Sequence, residues 1–216
     1  MLNIGIIGAG RIGKVHMQSI TYNVPSAKVL GITDVFKDAL PALAQKYGIP
    51  KIYNDYKEML DTEKPDVVHI CTPNASHYEM AMYAMERGIA VVCEKPLTTT
   101  VEQARELVAT AKKYGVVNAV NFNCRWYPQV MQTRSMIERG EVGKIYSVHG
   151  SYLQDWLFLD TDYSWRLEPE ISGISCAIAD IGSHWMDLVQ HVTGSRITAV
   201  MADLVTVIPV RKKPAA

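Results

Sequence analysis

From the N-terminus to about residue 122, short apolar runs alternate with amphipathic stretches. The pattern predicts strands at 2–7, 28–33, 67–71, 89–93 and 116–121, each bounded by Gly, Pro or Asp. These runs are apolar on both faces, as strands covered by helices on each side are. Helices are predicted at 12–22, 37–47, 76–87 and 101–114, with Ser76-x-x-Glu79 reading as a capping box. A short strand near 51–53 and a helix about 55–60 complete the first half of the sheet. Such alternation predicts a doubly wound parallel α/β sheet over residues 1–122.

Beyond residue 122 the texture changes. Aromatic residues and arginines cluster (Arg125, Trp126, Tyr127, Tyr152, Trp156, Trp165, Arg166), and a helix-like run precedes Gly140-Glu141-Val142-Gly143. Residues 144–154 alternate with the two-residue period of a half-exposed strand, 180–192 read as a helix, and 197–209 as one or two more strands. A second, α+β domain is therefore expected over 123–216, with few strands by its end.

Composition narrows the function classes. The 216 residues carry 22 Lys plus Arg against 22 Asp plus Glu, so the net charge is zero with His neutral. A balanced charge supplies no general attraction to nucleic acid or to an anionic membrane surface. At 48% hydrophobic and 20% charged residues, the chain has enough apolar surface to fold. No stretch reaches the roughly 18 apolar residues of a membrane span, and Met1-Leu2-Asn3-Ile4 begins no basic-then-apolar leader. Cys71, Cys93, Cys124 and Cys176 have no C-x-x-C spacing and read as free thiols. A cytoplasmic protein without a metal is expected.

Gly8-Ala9-Gly10-Arg11-Ile12-Gly13 follows the first predicted strand and opens the first helix. In that setting the glycines allow a tight turn, close backbone approach to a pyrophosphate, and close helix–strand packing. The helix N-terminus adds N–H groups and positive dipole. Asp34 lies 21 residues after Gly13 at the end of the second strand, where a carboxylate accepts from ribose hydroxyls. A carboxylate repels a 2′-phosphate, so NAD is favoured over NADP, although Lys37 is close by. A methyltransferase shares such a turn but does not need the second half of the sheet in this form. The bland alternative is a glycine-rich turn beside a solvated Asp.

Three further elements fall at predicted strand ends or after them: Thr72-Pro73-Asn74-x-x-His77, Glu94-Lys95-Pro96, and Asp180-Ile181-Gly182-Ser183-His184. In this order they closely resemble the family of glucose–fructose oxidoreductase, inositol dehydrogenase and related sugar dehydrogenases (Gfo/Idh/MocA). The resemblance runs from the glycine motif to residues 205–214. Residues 152–156 and 165–169 are similar to members acting on pyranose-type sugars, anhydrosugars included. The resemblance implies a catalytic role for Lys95, Asp180 and His184, a cis Lys95–Pro96 bond, and a homo-oligomer. It also implies a second domain shorter than in the family, whose members continue well beyond the equivalent of Ala216.

The chemistry of the residues leads to the same set. Oxidation of an alcohol requires removal of the hydroxyl proton as hydride leaves the same carbon. Histidine is the side chain whose ordinary charge change falls near neutral pH, so His184 suits a general base. Asp180, four residues earlier on the same predicted helix, faces the same side and orients His184 or holds a neighbouring hydroxyl. Lys95 supplies a positive charge to a developing alkoxide. Thr72, Pro73, Asn74, His77 and Glu94 are expected at the cofactor. Arg125, Tyr152, Trp165 and Arg166 are read as a sugar-binding set, with plain core packing as the alternative for the aromatics. Asp187 and His191 are read as structural. Many relatives carry a glycine triplet before the Asp-x-x-x-His helix, where this chain has Ile171-Ser172-Gly173-Ile174-Ser175-Cys176. That departure leaves the sugar open. The reading is an NAD-dependent dehydrogenase of a sugar or cyclic polyol; its alternatives are a non-catalytic NAD-binding module or sensor and an NAD-using glycoside hydrolase or lyase.

Overall fold

In the computed structural model, which describes residues 1–214, six short strands make one sheet. They are β1 (Leu2–Ile7), β2 (Ala27–Thr33), β3 (Lys51–Tyr53), β4 (Val67–Ile70), β5 (Ala90–Cys93) and β6 (Asn118–Val120). All five pairings are parallel, in the order β3-β2-β1-β4-β5-β6. This is the dinucleotide-binding order, in which the chain reverses direction across the sheet between β1 and β4. The connecting helices are α1 (Arg11–Asn23), α2 (Leu40–Tyr47), α3 (Tyr56–Glu63), α4 (His77–Met85) and α5 (Val101–Tyr114).

Side-chain alternation sorts the core into two layers. On β1, Ile4 and Ile6 face α1 and α2, where they pack with Met17, Ile20, Leu40 and Leu43. Ile7 points the other way, into the layer formed with Val68, Ile70, Met59, Leu60, Ala81, Ala84 and Leu107. Because Val68 and Ile70 belong to that second layer, the period of two turns Val67 and His69 of β4 toward the α1 face.

Two local expectations are corrected. Residues 37–47 are not one helix: a 3₁₀ turn at Lys37–Ala39 precedes α2, with proline at the helix start. The Pro41 ring excludes the carbonyl four residues back, so α-helical bonding does not extend through Lys37. The Ser76–Glu79 capping box does not form either. A 3₁₀ turn at Asn74–Ser76 holds Ser76 at φ −91°, ψ −12°, not in the extended conformation of an N-cap. Its Oγ lies 2.7 Å from Thr72 Oγ1 and 2.8 Å from the Pro73 carbonyl, while Glu79 pairs with Lys57 at 3.0 Å. Asp55 and Thr100 do cap α3 and α5, accepting from Lys57 and Glu58 and from Gln103.

The chain divides into two units, Met1–Asn121 and a second that starts at Phe122. The second holds α6 (Pro128–Glu138), the short α7 (Pro169–Ser172), a π turn at Ile178–Gly182, and α8 (Ser183–Thr193). Helices α6 and α8 pack against each other. Residues 144–154 and 197–209, predicted as strands, form no ladder. A strand exists only when a neighbour takes up its N–H and C=O groups, and among the described residues of this unit there is no such neighbour. Many apolar side chains here stay exposed, among them Leu153, Phe158, Ile174, Met201 and Val207.

Candidate active site

In the first unit the glycine turn is built by contact at two positions and left open at a third. Gly8 has φ +95°, and a Cβ on it would meet the Cys71 carbonyl oxygen at 2.6 Å. A Cβ on Gly13 would lie 1.9 Å from the Gly8 carbonyl oxygen. Over Gly10, the N-cap of α1, a Cβ would have nothing within 4 Å. The turn is thus closed against the sheet and bare on its outer side. No side chain caps α1, so the N–H groups of Arg11 and Ile12 at its start lack that usual intrahelical or side-chain partner. Asp34, just past β2, accepts hydrogen bonds from the Ala9 and Phe36 N–H groups. One carboxylate is therefore set beside the bare stretch. The residues fit a dinucleotide: bare backbone at a helix start and a carboxylate beside it are the donor set such a group uses.

The loop after β4 and the one after β5 are tied together by His77. Its Nδ1 lies 2.8 Å from the Pro96 carbonyl oxygen and its Nε2 2.8 Å from that of Thr72. Burial holds its pKa down despite the two carbonyls. The ring is fully buried, so the expectation that His77 lines the cofactor is corrected: it braces the loops from inside. Asn74 is buried as well, whereas Pro73 is exposed and Thr72 half-buried. The Lys95–Pro96 bond is cis, and Lys95 is half-buried.

Glu94 also departs from its expected place at the cofactor. It is buried, and its carboxylate turns into the protein. Oε1 lies 3.0 Å from His16 Nε2 and accepts from Asn121 Nδ2; Oε2 accepts from the Lys95 N–H at 3.3 Å. Burial works against the charge, but the His16 and Asn121 donors outweigh it and hold the pKa below the usual carboxylate range. His16 Nδ1 in turn faces His69 Nδ1 at 2.8 Å. Burial and the neighbouring His16 push the pKa of His69 down to about 4. Sequence patterns did not single out His16, His69 or Asn121. The available signal was a lone histidine in the apolar run Val67-Val68-His69-Ile70. Cys71 and Cys93 are buried free thiols whose pKa values burial drives up, which leaves them unreactive.

In the second unit His184 is buried near the start of α8. Tyr152 stacks on it with ring centroids 6.0 Å apart and planes at 13°, and Phe122 meets it edge-on at 5.9 Å. Asp180 lies in the π turn ahead of α8, not in the α-helix predicted from 180. Such i→i+5 turns recur at functional sites. Arg166 Nε is 3.0 Å from Asp180 Oδ1, and its guanidinium lies over the Trp165 ring at 4.5 Å. Trp165, Arg166 and Asp180 thus form one chain of contacts. Arg125 does not join them. Its guanidinium forks onto Asp187, with Nε 2.7 Å from Oδ2. With both fork nitrogens on a carboxylate of α8, Arg125 ties the segment before α6 to α8. His191, one turn further along α8 from Asp187, lies 3.0 Å from Arg134. Among the described residues no group of three or more His, Cys, Asp or Glu is arranged to hold a metal, and no helix is long and apolar enough to cross a membrane.

Comparison with known proteins matches residues 2–122 to the oxidoreductase family model with an NAD-binding Rossmann fold, and residues 130–214 to the GFO/IDH/MocA C-terminal domain. Levoglucosan dehydrogenase of Pseudarthrobacter phenanthrenivorans is 36% identical over 97% of this chain and 55% of its own length. D-glucoside 3-dehydrogenase of Escherichia coli is 36% identical over 89% and 54%. A solved levoglucosan dehydrogenase in complex with NADH and levoglucosan superposes with a TM-score of 0.82 at 33% identity, covering 89% of this chain and 54% of that one. An oxidoreductase domain protein from Kribbella flavida gives 0.84 at 34%, over 90% and 53%. The chain spans about half the length of the curated relatives it matches. With its parallel sheet in dinucleotide-binding order and both family models matched in sequence, the chain belongs to the Gfo/Idh/MocA oxidoreductase family and carries its NAD-binding Rossmann domain.

Proposed function

We propose that this chain is the cofactor-binding and catalytic portion of an NAD-dependent dehydrogenase that oxidises a hydroxyl of a sugar or cyclic polyol. The observation that carries the reading is Asp34 bonded to the Ala9 N–H beside the open backbone of Gly10. Gly8, Gly10, Arg11, Ile12 and Gly13 hold the pyrophosphate, and Asp34 takes the ribose hydroxyls and disfavours NADP. Thr72, Pro73 and Asn74 border the same strand ends. Bound NAD supplies the hydride acceptor.

The chain's own residues do the rest. His184, flanked by the Tyr152 and Phe122 rings, removes the hydroxyl proton. Asp180, kept in place by Arg166, orients the base or a neighbouring hydroxyl. Lys95 stabilises the developing alkoxide. Trp165 and Tyr152 offer ring faces of the kind that pack against the C–H faces of pyranoses. The similarity to levoglucosan and D-glucoside dehydrogenases supports a pyranose or anhydrosugar as the substrate class.

The test is NAD titration by calorimetry together with a cofactor-reduction screen over pyranoses, inositols and anhydrosugars, on this chain and its Lys95→Met and His184→Ala variants. NAD binding and turnover, with turnover lost by at least about a hundredfold in each variant, is the expected result. Turnover unchanged in both variants overturns the mechanism. NAD binding without any turnover favours a non-catalytic module, and glycoside release without NADH accumulation favours a hydrolase or lyase.

A further inference from the structure

We infer that His16 and Asn121 are positioning residues for Lys95 and act on it through the Glu94 carboxylate. The inference rests on the catalytic reading of Lys95 given above. Four separate elements converge on this carboxylate. His16 comes from the second turn of α1, His69 from the middle of β4, Glu94 from just past β5, and Asn121 from just past β6. Backbone bonds hold the strand ends in register: Glu94 N–H donates to Ile70 at 2.9 Å and Asn121 N–H to Cys93 at 2.7 Å.

The proton pattern within the cluster is dictated by Glu94. An ionised carboxylate only accepts, so His16 Nε2 carries a hydrogen and donates across 3.0 Å. The Asn121 amide donates to the same oxygen. The other oxygen is thereby left to the Lys95 backbone N–H. On the far side of Lys95, the Pro96 carbonyl lies 2.8 Å from His77. The Glu94–Lys95 peptide and, one residue past Lys95, the Pro96–Leu97 peptide are thus gripped by the buried side chains of Glu94 and His77. A lysine has four rotatable side-chain bonds, and the direction in which it leaves the backbone is set by these peptides. Losing that direction at a reacting group costs rate. A buried network that merely stabilised the fold would not require a bond to Lys95 itself, and this network makes one.

The experiment compares His16→Leu, His16→Gln and Asn121→Ser in the 216-residue chain. The first readout is the rate at which acetic anhydride acetylates the neutral Lys95 side-chain amine, with release of acetate, followed by mass spectrometry against exposed Lys112 in the same sample. Leucine at 16 and serine at 121 should each change the Lys95-to-Lys112 rate ratio by threefold or more. Glutamine, whose amide can donate from the place of Nε2, should restore it. The second readout is turnover: kcat should fall tenfold or more in H16L, with KM for NAD within twofold. A lower Tm with an unchanged Lys95 ratio in H16L and N121S overturns the inference and makes the network purely structural. If H16L does not fold, N121S, altered at a half-buried amide, decides alone. If the unmodified chain turns over no sugar, the dehydrogenase reading fails, while the labelling ratio still decides whether His16 and Asn121 position Lys95.

Discussion

Gly13 faces Gly8 so closely that a Cβ on Gly13 would lie 1.9 Å from the Gly8 carbonyl oxygen. The two ends of the nucleotide turn touch backbone to backbone, and no side chain at Gly13 fits without moving β1 or α1. Gly10, between them, has open space where its Cβ would be. The same substitution should therefore act in opposite ways. Gly13→Ala is expected to cost about 3 kcal/mol or more of stability. Gly10→Ala should stay within about 1 kcal/mol, yet weaken NAD binding by tenfold or more because the methyl occupies the cradle. Urea denaturation and calorimetry check the pair, and a Gly10→Ala chain that binds NAD normally would show that the open face is not the pyrophosphate site.

Asp34 has two jobs that its variants should separate. It accepts from the Ala9 and Phe36 N–H groups, and its charge disfavours a 2′-phosphate. Asp34→Asn removes the charge and keeps one acceptor oxygen, so one of the two N–H groups loses its partner and stability should fall by about 1–3 kcal/mol. The ratio of NADP to NAD affinity should rise about tenfold. A ratio equal to that of the unmodified chain would mean that Asp34 does not face the ribose.

Acid should destabilise the first unit by a calculable route. His69 has a folded pKa of about 4 against an ordinary 6.5. Between those values the unfolded chain binds a proton that the folded chain refuses, so stability present above pH 6.5 is lost as pH falls toward 4. The full loss from this group is about 3 kcal/mol. His77, shifted in the same direction, adds to it. Glu94, whose folded pKa is lowered, contributes stability above the ordinary carboxylate range that disappears on further acidification. Urea midpoints from pH 7.5 to 4.5 should fall steeply, and His69→Gln should flatten the curve. Equal slopes for both chains would exclude His69 as a source.

Arg166 and Tyr152 each touch a member of the proposed catalytic set. Arg166→Ala strips Asp180 of its 3.0 Å partner. As the pair is partly exposed, stability should drop by no more than about 1 kcal/mol, while kcat/KM for the sugar falls tenfold or more and NAD affinity stays within twofold. Tyr152→Phe preserves the ring stacked on His184 and should retain kcat, whereas Tyr152→Ala should not. Steady-state kinetics on the two pairs decide both statements. An unchanged kcat/KM in R166A would leave the ion pair a structural contact.

The amino-acid sequence by itself determined the first unit almost element by element. Strand and helix periods, the three glycines of the turn and the carboxylate at Asp34 are local signals, readable over a few residues each. The relations that only the tertiary structure decided join residues far apart in the chain. His16 meets Glu94 across 78 positions and Asn121 across 105. Whether a buried Glu faces a cofactor or a histidine depends on which strands are neighbours and which face each side chain takes, and neither is encoded in spacing. The same holds for Arg125, whose fork reaches Asp187 across 62 positions. It also explains residues 144–154 and 197–209. Alternation predicts a strand's faces, but a strand forms only where another strand supplies its hydrogen bonds.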